Sequence, residues 1–197
     1  MTEGIERLQR MEEAVLKRYN LTIVHEKSKS TFIKKYKKGI FDVIDDAYGK
    51  LYGVVPYTDK LRESIISQFK LVVDLRWALV VINEKGEVIC FGFAIPSLGN
   101  ASRECEGKLL PTGLFKILKA KKNPKVVDLA LVGVREDYLN KGVTAIILNF
   151  IRKQMEKYNL EYVETNHCLE TNTKILKQWE YFKHQTHKRF RCYVKEL

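Results

Sequence analysis

The residues best suited to hold a phosphate lie in one loop. The stretch from Asp128 to Phe150, DLALVGVREDYLNKGVTAIILNF, has the pattern of a strand, a charged turn and a helix. The first amides of a helix have no acceptor within it, and the helix dipole adds partial positive charge there. Gly142 lacks a Cβ and lets a ligand approach the main chain, while Lys141 adds a cation. The loop therefore predicts an anion site, although Gly142 could also serve only to ease the turn.

Other reactive side chains do not form recognisable sites. His184 and His187 have HxxH spacing, but no third ligand is fixed nearby, so we expect no metal. His167 and Cys168 are adjacent on a predicted strand and would point to opposite faces, which excludes a dyad. Nucleophile-elbow and Walker motifs are absent from the sequence.

Composition narrows the class of protein. The 197 residues, 45% of them hydrophobic, suit one globular domain with a possible appended element. No apolar run reaches the ~18 residues of a membrane span, the four cysteines form no CxxC pair, and the N-terminus is charged. We therefore expect a cytoplasmic protein with reduced thiols and no membrane partner. The net charge of +11 fits a polyanionic partner, such as a phosphorylated cofactor or nucleic acid, or simply a lysine-rich surface.

The elements that would position the loop can be predicted from periodicity and turn residues. Helical spacing predicts helices, alternation predicts strands, and Gly86 marks a hairpin turn. The predicted helices span 5–19, 31–51, a segment capped by Thr58, 142–158 and 172–182; the predicted strands span 21–25, 77–83, 87–96, 126–134, 161–168 and 187–197. This order predicts an α+β domain with a mixed sheet.

The order of elements and the loop together resemble the GNAT (GCN5-related) N-acetyltransferase superfamily. In VREDYLNKGVTA, Val134 is similar to the family's strand-end valine, Tyr138 to its aromatic residue and Gly142 to its central glycine. Leu139 stands where the family usually has Arg or Gln, and Thr144 where it has Gly or Ala. The loop is thus a degenerate version of the family's acetyl-CoA loop. The remaining segments resemble a poorly characterised bacterial branch whose members often carry more chain upstream.

The resemblance implies the fold and the cofactor contacts. It implies a GNAT-like acyl-CoA N-acyltransferase fold: a mixed, mostly antiparallel sheet with splayed central parallel strands, flanked by helices. Acetyl-CoA would be a substrate, with pantetheine pairing to the backbone of Val132 and Val134 and Asn172 opening the helix behind it. The pyrophosphate would meet the loop residues Leu139, Asn140, Lys141, Gly142, Val143 and Thr144.

The catalytic residues are less well defined. Acyl transfer to an amine needs a base, and Glu164 on the strand YVETN is our candidate, with Asp128 as a rival further from the thioester. Trp179 occupies the position at which many family members have a proton-donating tyrosine. Two functions stay open: an acyl-CoA-dependent N-acetyltransferase acting on an unidentified amine, or a non-catalytic GNAT-fold protein that binds CoA, another ligand, RNA or a protein partner.

Two further segments complete the sequence-based picture. Residues 1–20 are expected to be an N-terminal helix or connector, and residues 21–197 the GNAT-like domain. Gly113 to Lys125 combines a helical apolar face with five lysines and no acidic residue. It could pack on the domain, border the acceptor pocket, touch an anionic surface or contact RNA. Nucleic acid is a possible partner but is not favoured, and the oligomeric state is not predicted.

Overall fold

The computed structural model describes residues 2–51, 54–106, 108, 110 and 112–195. They divide into two compact units, with the boundary between Asn166 and His167. The helices are α1 (Thr2–Arg18), α2 (Lys29–Tyr48), α3 (Asp59–Val72), α4 (Gly99–Glu104), α5 (Gly113–Lys122), α6 (Thr144–Tyr158) and α7 (Thr173–Gln178). The strands are β1 (Thr22–Ile23), β2 (Ala78–Ile82), β3 (Val88–Pro96), β4 (Val126–Val134) and β5 (Tyr162–Thr165). The predicted ends at residues 1 and 197 lie outside the described residues.

The five strands form one mixed sheet in the order β1-β2-β3-β4-β5. The first three pairings are antiparallel, and only β4 and β5 run parallel. A right-handed crossover through α6 is the usual way to connect such a parallel pair. The sheet therefore has the mixed, mostly antiparallel arrangement that the sequence predicted.

The two parallel strands separate partway along their length. They pair from Val126 with Tyr162 to Leu129 with Thr165, and β4 then continues alone to Val134. The separation coincides with a β-bulge, because Phe93 pairs with Leu131 and Ala94 with Leu129, which leaves Ala130 as an extra residue on β4. A bulge bends its strand and increases its twist. The predicted splay of the parallel strands is confirmed.

Helices cover both faces of the sheet. On one face, α2 contributes Phe32 and Phe41 to a core with Phe91 and Phe93, and the ring of Phe69 on α3 lies 4.7 Å from that of Phe93. On the other face, α6 packs over Gly92, whose missing Cβ would lie 3.6 Å from Ile147. Both layers belong to the first unit, so the strand separation is held between two packed helical layers.

Helix α1 packs against α6 rather than against the sheet. The Glu12 carboxylate is buried and accepts hydrogen bonds from the side chains of Asn149 and Lys153. Arg152 donates to the Asn149 side-chain oxygen and pairs with Glu156. A buried charge is tolerated when it is paired and hydrogen-bonded in this way.

The main error of the sequence prediction concerns the last strand. The described residues 187–195 contain no strand, and Phe190, Tyr193 and Val194 are exposed. Alternation creates a strand only where a neighbouring strand takes up its hydrogen bonds, and none pairs with the described part of this segment. The predicted strand 161–168 likewise ends at Thr165. Among the described helices, none is both long and apolar enough to cross a bilayer.

Candidate functional site

The loop before α6 presents main-chain amides in an unusual backbone geometry. Asn140 and Gly142 have positive φ values of 62° and 78°. Within the described hydrogen-bond network, the amides of Asn140, Gly142, Val143 and Thr144 donate to no other backbone atom, whereas the Lys141 amide donates to the Tyr138 carbonyl. Positive φ at alternate residues next to a right-handed residue such as Val143 is a backbone feature of anion-binding nests. The sequence placed its anion site at these same amides.

Helix α1 closes the back of this loop. A Cβ on Gly142 would lie 3.1 Å from Val15 Cγ2. A side chain at this position would therefore meet α1. The Lys141 ammonium lies 5.4 Å from the Tyr19 ring centre and 4.8 Å from that of Tyr138. Cation–π contacts therefore hold this lysine beside the loop.

The acidic residues of the turn are neutralised locally. Arg135 donates to Asp137 at 2.7 Å, and this hydrogen bond, against a smaller effect of burial, lowers the pKa of Asp137. Lys50, which follows α2 by two residues, pairs with Glu136 at 2.6 Å. An anion at the neighbouring amides is thus not repelled by bare carboxylates.

Beyond the bulge, no strand among the described residues pairs with the second edge of β4. The Arg135 amide donates to the Ile89 carbonyl on the β3 side, so by alternation the backbone of Val132 and Val134 faces the other edge. Two side chains fill part of it: Asn166 donates to the Ala130 carbonyl at 2.8 Å, and the Tyr48 hydroxyl donates to the Val132 carbonyl. The open edge from Ala130 to Val134 spans roughly 13 Å at ~3.3 Å per residue.

Two carboxylates lie side by side where the strands begin to part. Asp128 on β4 is the direct partner of Glu164 on β5, and both residues are half-buried. Their neighbours Val127 and Val163 contact the α6 side, so the carboxylates face the side of α2 and α3. Burial first, and then the charge of Glu164, raises the pKa of Asp128, against a hydrogen bond with Ser97. The sequence ranked Asp128 below Glu164 by position along the strand; the register places the two at the same level.

A cavity of about 230 Å³ lies between α2 and the segment that leads into α3. Tyr48 lines it together with Asp45, Val54, Pro56, Tyr57 and Arg62. Tyr48 links this cavity to the open strand edge, because its hydroxyl donates to the Val132 carbonyl. The sequence placed the substrate pocket in the gap between the splayed strands, walled by the helix from Gly113 and the segment from Pro56. The described residues that line this cavity come from the end of α2, the segment around Pro56 and the start of α3, so the predicted location of the substrate pocket stays a prediction.

The remaining predicted site residues have separate surroundings. Leu139 is 46% exposed, and its side chain offers no donor to an anion. In the second unit, the Asn172 side chain accepts from the Ile175 amide and caps α7, as its place in the sequence suggested. Trp179 begins a short 3-10 helix that follows α7 directly.

No metal centre is found in the described part of the chain. No three His, Cys, Asp or Glu residues come close enough there to hold an ion. His167, for which the sequence gave no partner in catalysis, stacks edge-on against Phe190 at 4.4 Å within the second unit.

Comparison with solved structures defines the class of fold. AAC(6')-Iy in complex with a CoA–acetylneamine bisubstrate analogue superimposes with a TM-score of 0.53 at 13% identity, covering 90% of this chain and 99% of that one. Glucosamine-6-phosphate N-acetyltransferase from Arabidopsis thaliana gives 0.51 at 12% identity over 88% and 99%. An aminoglycoside acetyltransferase from a soil metagenome gives 0.54 at 10% identity over 92% and 99%. The chain therefore has the fold of the GNAT N-acetyltransferases.

Sequence comparison with curated proteins yields partial matches. No family model matches the chain. Protein YghO of Escherichia coli K12 is 23% identical over 163 residues, which are 79% of this chain and 41% of YghO. The bacterial ceramide synthase of Caulobacter vibrioides is 29% identical over 101 residues, 49% of this chain and 26% of that protein. The chain thus spans less than half the length of these curated relatives.

Sequence reasoning missed the residues that fill the open strand edge. Tyr48 and the carbonyl it binds are 84 residues apart, and Asn166 is 36 residues from its acceptor. Tyr48 does carry one signal, because it is the last residue of an amphipathic helix and its hydroxyl needs a polar partner when the ring is packed.

Proposed function

We propose that the chain is an acyl-CoA-dependent N-acyltransferase acting on an amine. The observation that carries the proposal is the open edge of β4, which leads from the amides before α6 to the carboxylates Asp128 and Glu164. An extended, amide-containing arm such as pantetheine satisfies an open strand edge in the way a strand does. The edge has an anion site at one end and two carboxylates at the other. This arrangement suits CoA, whose pyrophosphate and thioester lie at the two ends of the pantetheine arm.

The cofactor would lie along this edge in one direction. Its pyrophosphate would accept from the amides of Asn140, Gly142, Val143 and Thr144, with Lys141 beside it. Leu139 would line the loop without donating to the anion, because its amide already donates to the Glu136 carbonyl. The pantetheine amides would pair with Val132 and Val134. The thioester would then reach the bulge at Ala130. Asn172 at the start of α7 stays a proposed cofactor contact on the strength of the family resemblance.

The chemistry of the site supports proton removal from an amine. An ammonium substrate must lose a proton before its lone pair can attack the thioester carbonyl. Glu164, directly or through water, would take this proton. Its charge helps to raise the pKa of the neighbouring Asp128, because paired carboxylates disfavour double ionisation. The new C–N bond forms as the C–S bond breaks, and the departing thiolate takes up one proton. Tyr48 offers a hydroxyl at the open edge for this last step.

The relatives are consistent with this reaction class. AAC(6')-Iy and glucosamine-6-phosphate N-acetyltransferase are named for transfer of acetyl groups to nitrogen. The ceramide synthase is named for a product that is itself an amide of a long-chain amine. Amide formation from an activated acyl group and an amine is the step that these names share.

The first experiment separates binding from turnover. Calorimetric titration with CoA measures binding, and the loss of thioester absorbance in the presence of an amine panel measures transfer. Glu164→Gln should retain CoA affinity and lose about 10²–10⁴-fold in rate. Glu161→Gln, at an exposed position just before β5, is the matched control and should retain the rate. An unchanged rate in Glu164→Gln would remove this residue from the mechanism, and no response to CoA would refute the whole proposal.

A non-catalytic CoA-binding protein is the second candidate. Two observations favour it: Leu139 replaces a phosphate-binding side chain, and Trp179 stands where many GNAT proteins have a tyrosine. Saturable CoA binding without turnover on any amine of the panel would select this alternative.

A further inference from the structure

Helix α5 carries an apolar stripe that the other described residues leave exposed. Phe115 is 73% exposed, Leu118 52% and Leu114 43%, and Leu110 just before the helix is 77% exposed. The sequence allowed this stripe to be the packing face of the helix. The structure instead buries Gly113 on the opposite side, so the stripe faces outward.

Lysines border the stripe on α5. At 100° per residue, Leu114, Leu118 and Phe115 lie within about 100° of one another around the helix. Lys121 lies on one side of this arc and Lys119 on the other, with Lys122 within it. Glu104 on α4 lies 3.8 Å from Lys116, but residues 113–125 themselves contain no acidic residue. The outward surface of α5 is therefore both apolar and cationic.

The orientation of α5 is fixed by contacts at both ends. Arg76 donates to the Lys122 carbonyl at 3.1 Å and to the Lys121 carbonyl at 3.3 Å. At the start of the helix, a Cβ on Gly113 would lie 2.0 Å from the Lys108 carbonyl oxygen, so the backbone can pack there only because the residue is glycine. These contacts hold the apolar stripe in an outward position.

We propose that α5 is a peripheral membrane-binding element that lies on an anionic lipid surface. A short helix with Leu and Phe on one arc and lysines beside it inserts its apolar residues at the headgroup boundary, while the lysines meet anionic headgroups. Nucleic acid would account for the lysines but not for outward leucines. A second protein copy would account for the leucines but not for a border of like charge, because two such helices repel each other.

The position of α5 in the chain connects membrane docking with the proposed reaction. The helix ends at Lys122, and β4 begins at Val126, so Asp128 follows the helix by six residues. A chain docked through α5 thus holds the carboxylate pair close to the lipid surface. This step rests on the proposed acyltransfer: if the chain acylates an amine, the amine it accepts is a long-chain amine held in the membrane.

Vesicle sedimentation tests the docking without CoA or turnover. The protein should bind vesicles that contain phosphatidylglycerol and should not bind vesicles of pure phosphatidylcholine. Lysine-to-lipid attraction is about fivefold in affinity per lysine, so Lys119→Gln with Lys122→Gln should weaken binding about 25-fold. Phe115→Ser should weaken it by roughly tenfold or more, because a large apolar side chain no longer enters the bilayer.

Matched controls lie on other helices. Lys34→Gln with Lys37→Gln removes two exposed lysines of the same spacing from α2, and Leu61→Ser removes an exposed leucine from α3. Both should bind vesicles as the parent chain does. All the altered side chains project into solvent, so circular dichroism should show an unchanged fold.

Three results would overturn the membrane assignment. They are equal binding to both vesicle types, Phe115→Ser binding as tightly as the parent, and a Phe115-dependent dimer or an RNA complex that forms in place of vesicle binding. The CoA titration is a separate measurement, so its failure would refute the acyltransferase proposal and the acceptor class while leaving the docking result intact. The expectation that the protein has no membrane partner is put to the same test.

Discussion

Alanine at Gly142 should weaken CoA binding and stability together, whereas alanine at Gly86 should weaken stability alone. The two glycines have nearly the same left-handed backbone, with φ of 78° and 76°. Gly86 lies in the β2–β3 hairpin with open space around it, while a Cβ on Gly142 would meet Val15 at 3.1 Å. Comparing the two variants therefore separates the loss of stability caused by a left-handed alanine from the loss of CoA binding caused by a change in the loop before α6.

The magnitudes follow from the backbone conformation. A left-handed conformation costs an L-residue about 1–2 kcal/mol, so each variant should lose about that much free energy of unfolding. Gly142→Ala should lose somewhat more, because Val15 must also shift. A loop that relaxes in the free protein must return to its original geometry to bind, which weakens CoA affinity about 5- to 30-fold. Valine at the same position should abolish binding.

Chemical unfolding and calorimetric CoA titration of the two variants test this reasoning. Gly86→Ala should bind CoA like the parent chain, and Gly142→Ala should not. Equal affinity in both variants would refute the phosphate loop. An unchanged free energy of unfolding in Gly142→Ala would refute the left-handed geometry itself.

Three further changes probe the site and its support. Burial raises the pKa of Asp128, so folding favours its protonated form. The free energy of unfolding should therefore fall as pH rises from the ordinary aspartate range through the raised pKa. Asp128→Asn should remove that fall, as measured by unfolding curves at several pH values. Tyr48→Phe removes the hydrogen bond to the Val132 carbonyl and should cost about 1 kcal/mol of stability. If the hydroxyl also protonates the thiolate, the turnover number of this variant falls, while its CoA affinity in calorimetry is retained. Glu12→Ala removes a buried carboxylate that pairs with the half-exposed Lys153 and leaves the buried Asn149 amide without this acceptor, which should cost about 1–3 kcal/mol in urea unfolding; the exposed Glu13→Ala should change little.

The sequence predicted those parts of the site that depend on neighbouring residues. The cap of α3 at Thr58 is local, since its hydroxyl accepts from the Leu61 amide three residues on. The positive φ of Gly86 in the hairpin turn is local too, because glycine is the residue that adopts it at least cost. The order of elements and the family resemblance together then predicted the splayed strands.

Features set by long-range pairing were not predictable in this way. The meeting of Asp128 with Glu164 depends on the register of two parallel strands joined by a whole helix, and a shift of one residue would turn the side chains to opposite faces. The Tyr48 contact depends on where α2 ends relative to a distant strand. The outward face of α5 depends on which side of the helix Arg76 and Gly113 fix to the domain.

The unpaired edge of β4 has a consequence for handling the protein. Free amides and carbonyls on a strand edge are a template for any other strand, including one from a second chain. Asn166 and Tyr48 each occupy a carbonyl, and in this way they blunt the edge between Ala130 and Val132. A ligand that pairs with Val132 and Val134 would complete the protection, acting as a missing sixth strand. Saturation with CoA should therefore suppress aggregation at high protein concentration, because the bound cofactor would cover the strand edge through which two chains could pair.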